Sequence, residues 1–172
     1  SYHKAQMRES SYTESFHAPD ANILVIDDVP MNLTVITGLL KKTQIKIDTG
    51  VSGRECLEKA SAKHYDIVFV DHMMPDMDGI ETLKHLREEC ELNRSTPVIV
   101  LTANAVSGAR EQYMAAGFDN YLTKPIDSAK LEATIISYLP GELVETGGQV
   151  VGISFPCQGV IVSSLAAIET PN

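Results

Sequence analysis

The sequence predicts an α/β domain built around a parallel sheet with helices above and below it. Three observations lead there. From Asn22 to about Leu139, short Ile/Val-rich runs alternate with longer amphipathic stretches, as repeated β-α units do. The runs are continuously apolar, which asks for burial on both faces of a strand. Four of them are followed, at or just past their carboxyl ends, by a reactive polar side chain.

The runs are ILVI at 23 to 26, IKI at 45 to 47, IVFV at 67 to 70, VIVL at 98 to 101 and the short NYL at 120 to 122. Five helices are expected between and after them. The first, 30 to 42, opens on Pro30, which a first helical turn tolerates, and sets Leu33, Ile36 and Leu40 on one face. The second opens on Ser52 and Glu55 at capping-box spacing and carries Cys56, Leu57 and Ala60. The third follows Gly79, with Ile80, Leu83, Leu86 and Cys90 forming a stripe at intervals of three and four. The fourth, about 106 to 116, stops at Gly117. The fifth starts from an Asp127 cap and turns Leu131, Ile135 and Leu139 inward.

The 172 residues suffice for one domain with tails, and 44% hydrophobic against 22% charged residues is an ordinary globular balance. The net charge of −9 argues against a bare phosphate-seeking surface for nucleic acid and asks for a cationic partner. Three cysteines, Cys56, Cys90 and Cys157, show no C-x-x-C spacing and suggest neither a disulfide framework nor a zinc site; a reducing cytoplasm fits them best. No unbroken apolar stretch of about 18 residues suggests a membrane span. Residues 1 to 21 read as a linker, 22 to 139 as the domain, and 140 to 172, which lack Lys and Arg, as an extension of unassigned structure. Within the extension, VVGISF or GVIVSS would suit addition as a strand to an exposed edge. The start at Ser1 suggests a fragment of something longer.

The chemistry lies beyond the strand ends. Asp27 and Asp28 follow the first run, Asp71 the third and Thr102 the fourth, and Lys124 stands two residues past the fifth. Ligands of open parallel sheets bind outside those carboxyl ends, so three carboxylates, one hydroxyl and one ammonium are expected in one pocket. At roughly 4 Å and an effective dielectric near 20, each ionised acid pair costs about 4 kcal/mol, and such a cluster wants a cation. Carboxylates, a carbonyl and waters suit Mg²⁺, which commonly bridges to a phosphoryl group. A carboxylate beside it can attack phosphorus to give an acyl phosphate, with Lys124 and Thr102 reaching the phosphoryl oxygens.

These residues resemble the response-regulator receiver domains of two-component signalling across roughly Asn22 to Leu139. The resemblance rests on the acidic pair of ILVIDD, on VDHMMPDMDG around Asp71, on VIVLTA ending at Thr102-Ala103, and on YLTKPI with Lys124 before Pro125. It implies a flavodoxin-like doubly wound sheet of order 2-1-3-4-5 and a cis Lys124-Pro125 peptide. It makes Asp71 the phosphoacceptor and a metal ligand, Asp27 and Asp28 the Mg²⁺ acids beside it, and Met73 a backbone-carbonyl ligand of the metal. It also implies that Thr102 and Lys124 contact the phosphoryl group and that Tyr121 is the aromatic switch. The surface of the fourth helix, fifth strand and fifth helix would report the change. Met73 and Asn104 would tune lifetime, and small Ala103 would keep the pocket open to a phosphodonor. Asn32, the Phe16-His17-Ala18-Pro19 segment and GLLKKT look like receivers fused to hybrid histidine kinases.

The function expected is therefore to take a phosphoryl group from a phosphohistidine, on a histidine kinase or a histidine phosphotransfer protein, and to relay it. The chain would catalyse at most its own phosphorylation and dephosphorylation, bind neither nucleic acid nor membrane, and leave any kinase module outside it. Two other classes compete. An aspartyl phosphatase would want a second acid two residues after Asp71, where Met73 stands, and a passive adaptor would lack part of the acidic set. His72 reads as a solvent-facing loop residue, and Cys56 and Cys90 as small buried thiols.

Overall fold

Five strands, β1 (Asn22–Ile26), β2 (Lys46–Gly50), β3 (Ile67–Asp71), β4 (Val98–Thr102) and β5 (Asn120–Thr123), form one parallel sheet in the order β2-β1-β3-β4-β5. The computed structural model describes residues 16 to 103 and 106 to 145. Among the described residues, five helices connect and follow the strands: α1 (Pro30–Leu39), α2 (Gly53–Ala62), α3 (Gly79–Glu89), α4 (Ala109–Ala116) and α5 (Ser128–Tyr138). The strand-addition motifs of the extension, Cys157, Asn104 and the first 15 residues of the expected linker lie outside the described residues.

The sheet is buried on both sides by simple alternation. Ile23 and Val25 of β1, Ile67 and Phe69 of β3, and Ile99 and Leu101 of β4 point to one face, where Leu33 and Ile36 of α1 and Leu131 and Ile135 of α5 cover them. Leu24 and Ile26, Val68 and Val70, and Val98 and Val100 point to the other, under Cys56 and Ala60 of α2, Leu83 and Leu86 of α3 and Tyr113 of α4. Aliphatic side chains excluded from water on two faces are what hold the central strands. Ile26 pairs with Val70 and with Gly50, and Asp71 with Leu101, so the ends of β1 and β3 finish at one rim.

The caps act as the sequence predicts, with local variations. The Glu55 amide donates to Ser52 Oγ at 3.1 Å, while the Glu55 carboxylate reaches past the cap residue to accept from the Val51 amide at 2.9 Å. Asp78 accepts from the Glu81 amide at the start of α3, and Asp127 from the Lys130 amide at the start of α5. Gly117 closes α4 in the left-handed region at φ 108°.

Several boundaries differ from expectation. Helix α1 stops at Leu39 rather than at 42, because Leu40 leaves helical geometry and residues Lys41–Thr43 tighten into a 3-10 turn that ends on left-handed Gln44. Helix α4 begins at Ala109 rather than near 106, after Gly108 at φ 91°. Strand β2 runs to Gly50, three residues past the IKI run, because its partner β1 has groups to pair along that length.

Residues 16 to 21 are not linker: Phe16, Ala18 and Ala21 are buried in the α1/α5 core. The Ala18 amide donates to Thr43 O, and His17 exchanges two backbone hydrogen bonds with Glu145, at 2.8 and 2.7 Å, as an antiparallel bridge. The first residues of the extension join the same core through Leu143 and Val144, beside the 3-10 turn Gly141–Leu143.

Candidate phosphoryl-acceptor site

Each expected residue arrives at the rim on its own element. Asp71 is the last residue of β3, and Thr102 of β4. Asp27 and Asp28 follow β1, and Lys124 follows β5 with its peptide bond to Pro125 cis. Oxygen atoms of Asp27, Asp28 and Asp71 come within 4.8 Å of one another. Lys124 Nζ bridges two of these acids, 2.8 Å from Asp71 Oδ1 and 2.9 Å from Asp27 Oδ2. Thr102 is buried, as are Asp27 and Asp71, while Asp28 is half-buried.

The Asp27 carboxylate is held by two further groups. Its Oδ1 accepts from the Val29 amide at 2.9 Å, and both oxygens accept from the Asn32 side-chain amide, at 3.2 and 3.1 Å. Asn32 sits in the first turn of α1, two residues after Pro30, which places it over the β1 end. In the sequence Asn32 stands out only as a mark of resemblance; in the fold it orients an acid.

Position 79 shapes the other side of the pocket. The Gly79 amide donates to His72 O at 2.8 Å, so the loop after β3 folds back on itself. A Cβ at residue 79 would stand 2.6 Å from Asp71 O, closer than side chains approach backbone, and a side chain there would push on that carbonyl.

Charge in the pocket is unbalanced: three carboxylates face one ammonium. Burial raises the Asp71 carboxyl above its ordinary value; the neighbouring Asp27 and the hydrogen-bonded Asp28 push the same way, and Lys124 opposes them. For Lys124 burial works against the charged form, but hydrogen bonds to Asp27 and Asp71 outweigh it and the ammonium is held more firmly than usual. At Asp71 the neighbouring acids add to burial, and at Lys124 they outweigh it; a hard divalent cation with oxygen ligands is what such a donor set accommodates.

The remaining expected residues are close by. Met73 is in the loop after β3 and 72% exposed, and Ala103, just past β4, is exposed. Tyr121 is half-buried on β5, with its ring centroid 6.2 Å from that of Tyr113. His72 departs from expectation: it is half-buried and its Nδ1 lies 2.8 Å from Tyr113 Oη. Sequence reasoning passes over Tyr113 altogether. Its Oη donates to Thr102 Oγ1 at 2.8 Å, but in the sequence it is one aromatic on a short helix.

Residues 23 to 136, more than half of the chain, match the family model described as the response regulator receiver domain. The chain belongs to the receiver family. Its receiver segment is 36% identical, over 119 residues, to the signal transduction histidine-protein kinase BarA of Shigella flexneri, covering 69% of this chain and 13% of that protein. It is 31% identical to the aerobic respiration control sensor protein ArcB of Escherichia coli (strain K12), over 68% of this chain and 15% of the sensor. The matched segment is thus only 13% to 15% of the length of these relatives. Among solved structures, the receiver domain of the sensor histidine kinase PA1611 from Pseudomonas aeruginosa PAO1, which holds a magnesium ion in its active-site cleft, superposes with a TM-score of 0.63 at 32% identity, covering 69% of this chain and 96% of that one. The sheet order of this receiver is the doubly wound order implied by the resemblance.

Proposed function

We propose that this receiver accepts a phosphoryl group on Asp71 from a phosphohistidine, on a histidine kinase or a histidine phosphotransfer protein, and that its parent is a hybrid sensor histidine kinase. The observation that carries the reading is the meeting of Asp27, Asp28 and Asp71 within 4.8 Å, with Lys124 2.8 Å from the acceptor. Residues from the ends of separate strands converge there, which a turn acid or a lone helix cap does not need.

In the transfer, an Asp71 carboxylate oxygen bonds to phosphorus as the P–N bond of the donor breaks, and the donor imidazole keeps the electron pair. The products are an acyl phosphate and a histidine without its phosphoryl group. Asp27, Asp28, Asp71 and the Met73 carbonyl would hold Mg²⁺, which when bound offsets the negative charge of acids and phosphoryl oxygens. Asn32 keeps Asp27 in place for that duty. Lys124 loses an ion pair with Asp71 on transfer and gains phosphoryl oxygens as partners, while Thr102 donates a hydrogen bond to them. Exposed Ala103 leaves the approach to Asp71 unobstructed.

A partner must seat its histidine over this rim, and apolar side chains surround it. Val29 and Met31 at the start of α1, Met73 after β3 and Val106 before α4 are all exposed. They offer a protein partner contacts that water does not reward. Among the described residues no helix is long and apolar enough to cross a membrane. Cys56 and Cys90 are buried thiols outside any disulfide, as suits a reducing cytoplasm.

Phosphorylation then biases a two-state surface: Thr102 moves toward the phosphoryl oxygens, Tyr121 follows, and the α4-β5-α5 face changes. The deciding experiment is incubation with acetyl phosphate and Mg²⁺ followed by intact mass. A single adduct of about 80 Da, one HPO₃ group, is expected on the chain and not on Asp71→Asn. An unlabelled chain, or labelling that survives D71N, overturns the assignment.

A further inference from the structure

Thr102 is tied to a chain of two polar groups. Tyr113 Oη donates to Thr102 Oγ1 at 2.8 Å, and His72 Nδ1 lies 2.8 Å from the same phenol oxygen. Tyr113 and Thr102 are buried. A phenol has a single proton. Since that proton goes to Thr102, the imidazole must be the donor in the other bond, so His72 carries its proton on Nδ1. The order of donation is then His72 to Tyr113 to Thr102, and a threonine hydroxyl that accepts from the phenol keeps its own proton to donate.

The surroundings hold this direction. The Tyr113 ring meets His72 edge-on at 5.2 Å and Phe118 edge-on at 6.0 Å, and lies 6.2 Å from Tyr121. His72 is the residue after Asp71, and its carbonyl is fixed by the Gly79 amide. One phenol therefore joins the acceptor's loop, the end of β4 and the face of α4.

We propose that Tyr113 is a positioning residue for phosphoryl transfer: held by His72, it presents the Thr102 hydroxyl as a hydrogen-bond donor to the incoming phosphoryl oxygens. This rests on Asp71 being the acceptor. The role is one of alignment, in which a hydroxyl already turned the right way spares the reaction the cost of turning it. Bonds in such a chain also polarise one another, so a donor behind Thr102 makes Thr102 a better donor in front.

The test is a double-mutant cycle on the labelling rate with acetyl phosphate and Mg²⁺, using the chain, Y113F, T102A and the double variant. Tyr113→Phe is the informative change because it removes one oxygen and leaves the ring packing intact. The loss expected of Y113F is about three- to tenfold, the worth of one hydrogen bond, and none in the T102A background. Unchanged or faster labelling of Y113F, or the same slowing in both backgrounds, overturns the proposal. Absent labelling of the unaltered chain would instead overturn the acceptor assignment, which keeps the two failures apart. Thermal unfolding of all four proteins shows whether they fold. Should Y113F lose its fold, 3-fluorotyrosine at position 113 keeps the hydroxyl and makes it a stronger donor. Faster labelling with Thr102 and none of that gain with T102A supports the proposal; any other pattern overturns it.

Discussion

Asp71, the proposed acceptor, is also a strain on the fold that holds it. Its carboxyl is raised above the ordinary value by burial and by Asp27 and Asp28. A raised carboxyl binds its proton more tightly in the folded chain than in the unfolded one. Its contribution to stability is complete below the unfolded value and is lost as pH rises through the folded one. Near neutrality and without Mg²⁺, an ionised Asp71 therefore works against folding. Asp71→Asn should raise the Tm at pH 7 by roughly 2 to 4 °C, and the gain should shrink as the solution is acidified below the raised carboxyl's range. Mg²⁺ should raise the Tm of the unaltered protein more than that of D71N. Thermal unfolding at several pH values, with Mg²⁺ and with a chelator, measures both. At Met73, hydrolysis of an acyl phosphate needs an aligned water, and a thioether cannot align one. Met73→Asn should shorten the life of the phosphorylated form several-fold, read by intact mass after the phosphodonor is removed.

Among the connecting elements, the far end of the sheet has its own organising residue, Asn93 in the 3-10 turn Glu91–Asn93 after α3. Its Oδ1 accepts from the Tyr65 amide at 2.7 Å and from Thr96 Oγ1 at 3.0 Å. Its Nδ2 donates to Ala60 O at 2.6 Å and Lys63 O at 2.8 Å. Asn93 is fully buried, so truncating it would take the partner from the buried Tyr65 amide and Ala60 carbonyl, while the Thr96 hydroxyl would keep the Tyr65 carbonyl as acceptor. Asn93→Ala should cost about 2 to 3 kcal/mol in chemical denaturation while leaving acetyl phosphate labelling of the folded protein unchanged, because the hub lies at the amino ends of β3 and β4 and the acids at the other. The strands themselves were legible because continuous apolar runs of the right length have one explanation once helical stretches separate them. The acids, Thr102 and Lys124 were legible because they closely follow those runs. Asn93 and Tyr113 were not: their partners include groups 28 and 41 residues away, and neither belongs to a local pattern. Residues 16 to 21 misled for the opposite reason, since their polar, proline-broken text hides two alanines and a phenylalanine that matter only where α1 and α5 leave room for them.

For the molecule as a whole, the doubly wound sheet puts its chemistry at one rim and its structural hub at the other, with the two apolar layers between. On the proposed reading, a phosphoryl group added at Asp71 would alter contacts along Lys124, Thr102 and Tyr113, which belong to or border the β4-β5 side of the sheet. Beryllofluoride with Mg²⁺ should accordingly move NMR resonances across α4, β5 and α5 and leave those around Asn93 in place. The backbone bridge between His17 and Glu145 has a consequence of another kind. It brings both boundaries of the described fold side by side, so the connection between them is geometrically inexpensive. A circular permutant in which a short glycine-serine loop closes that gap, with new termini opened at exposed Lys42, should retain all five strands in their present order. The same adjacency would let the fold be threaded into a host protein as a cassette, its two attachment points sharing a single doorway.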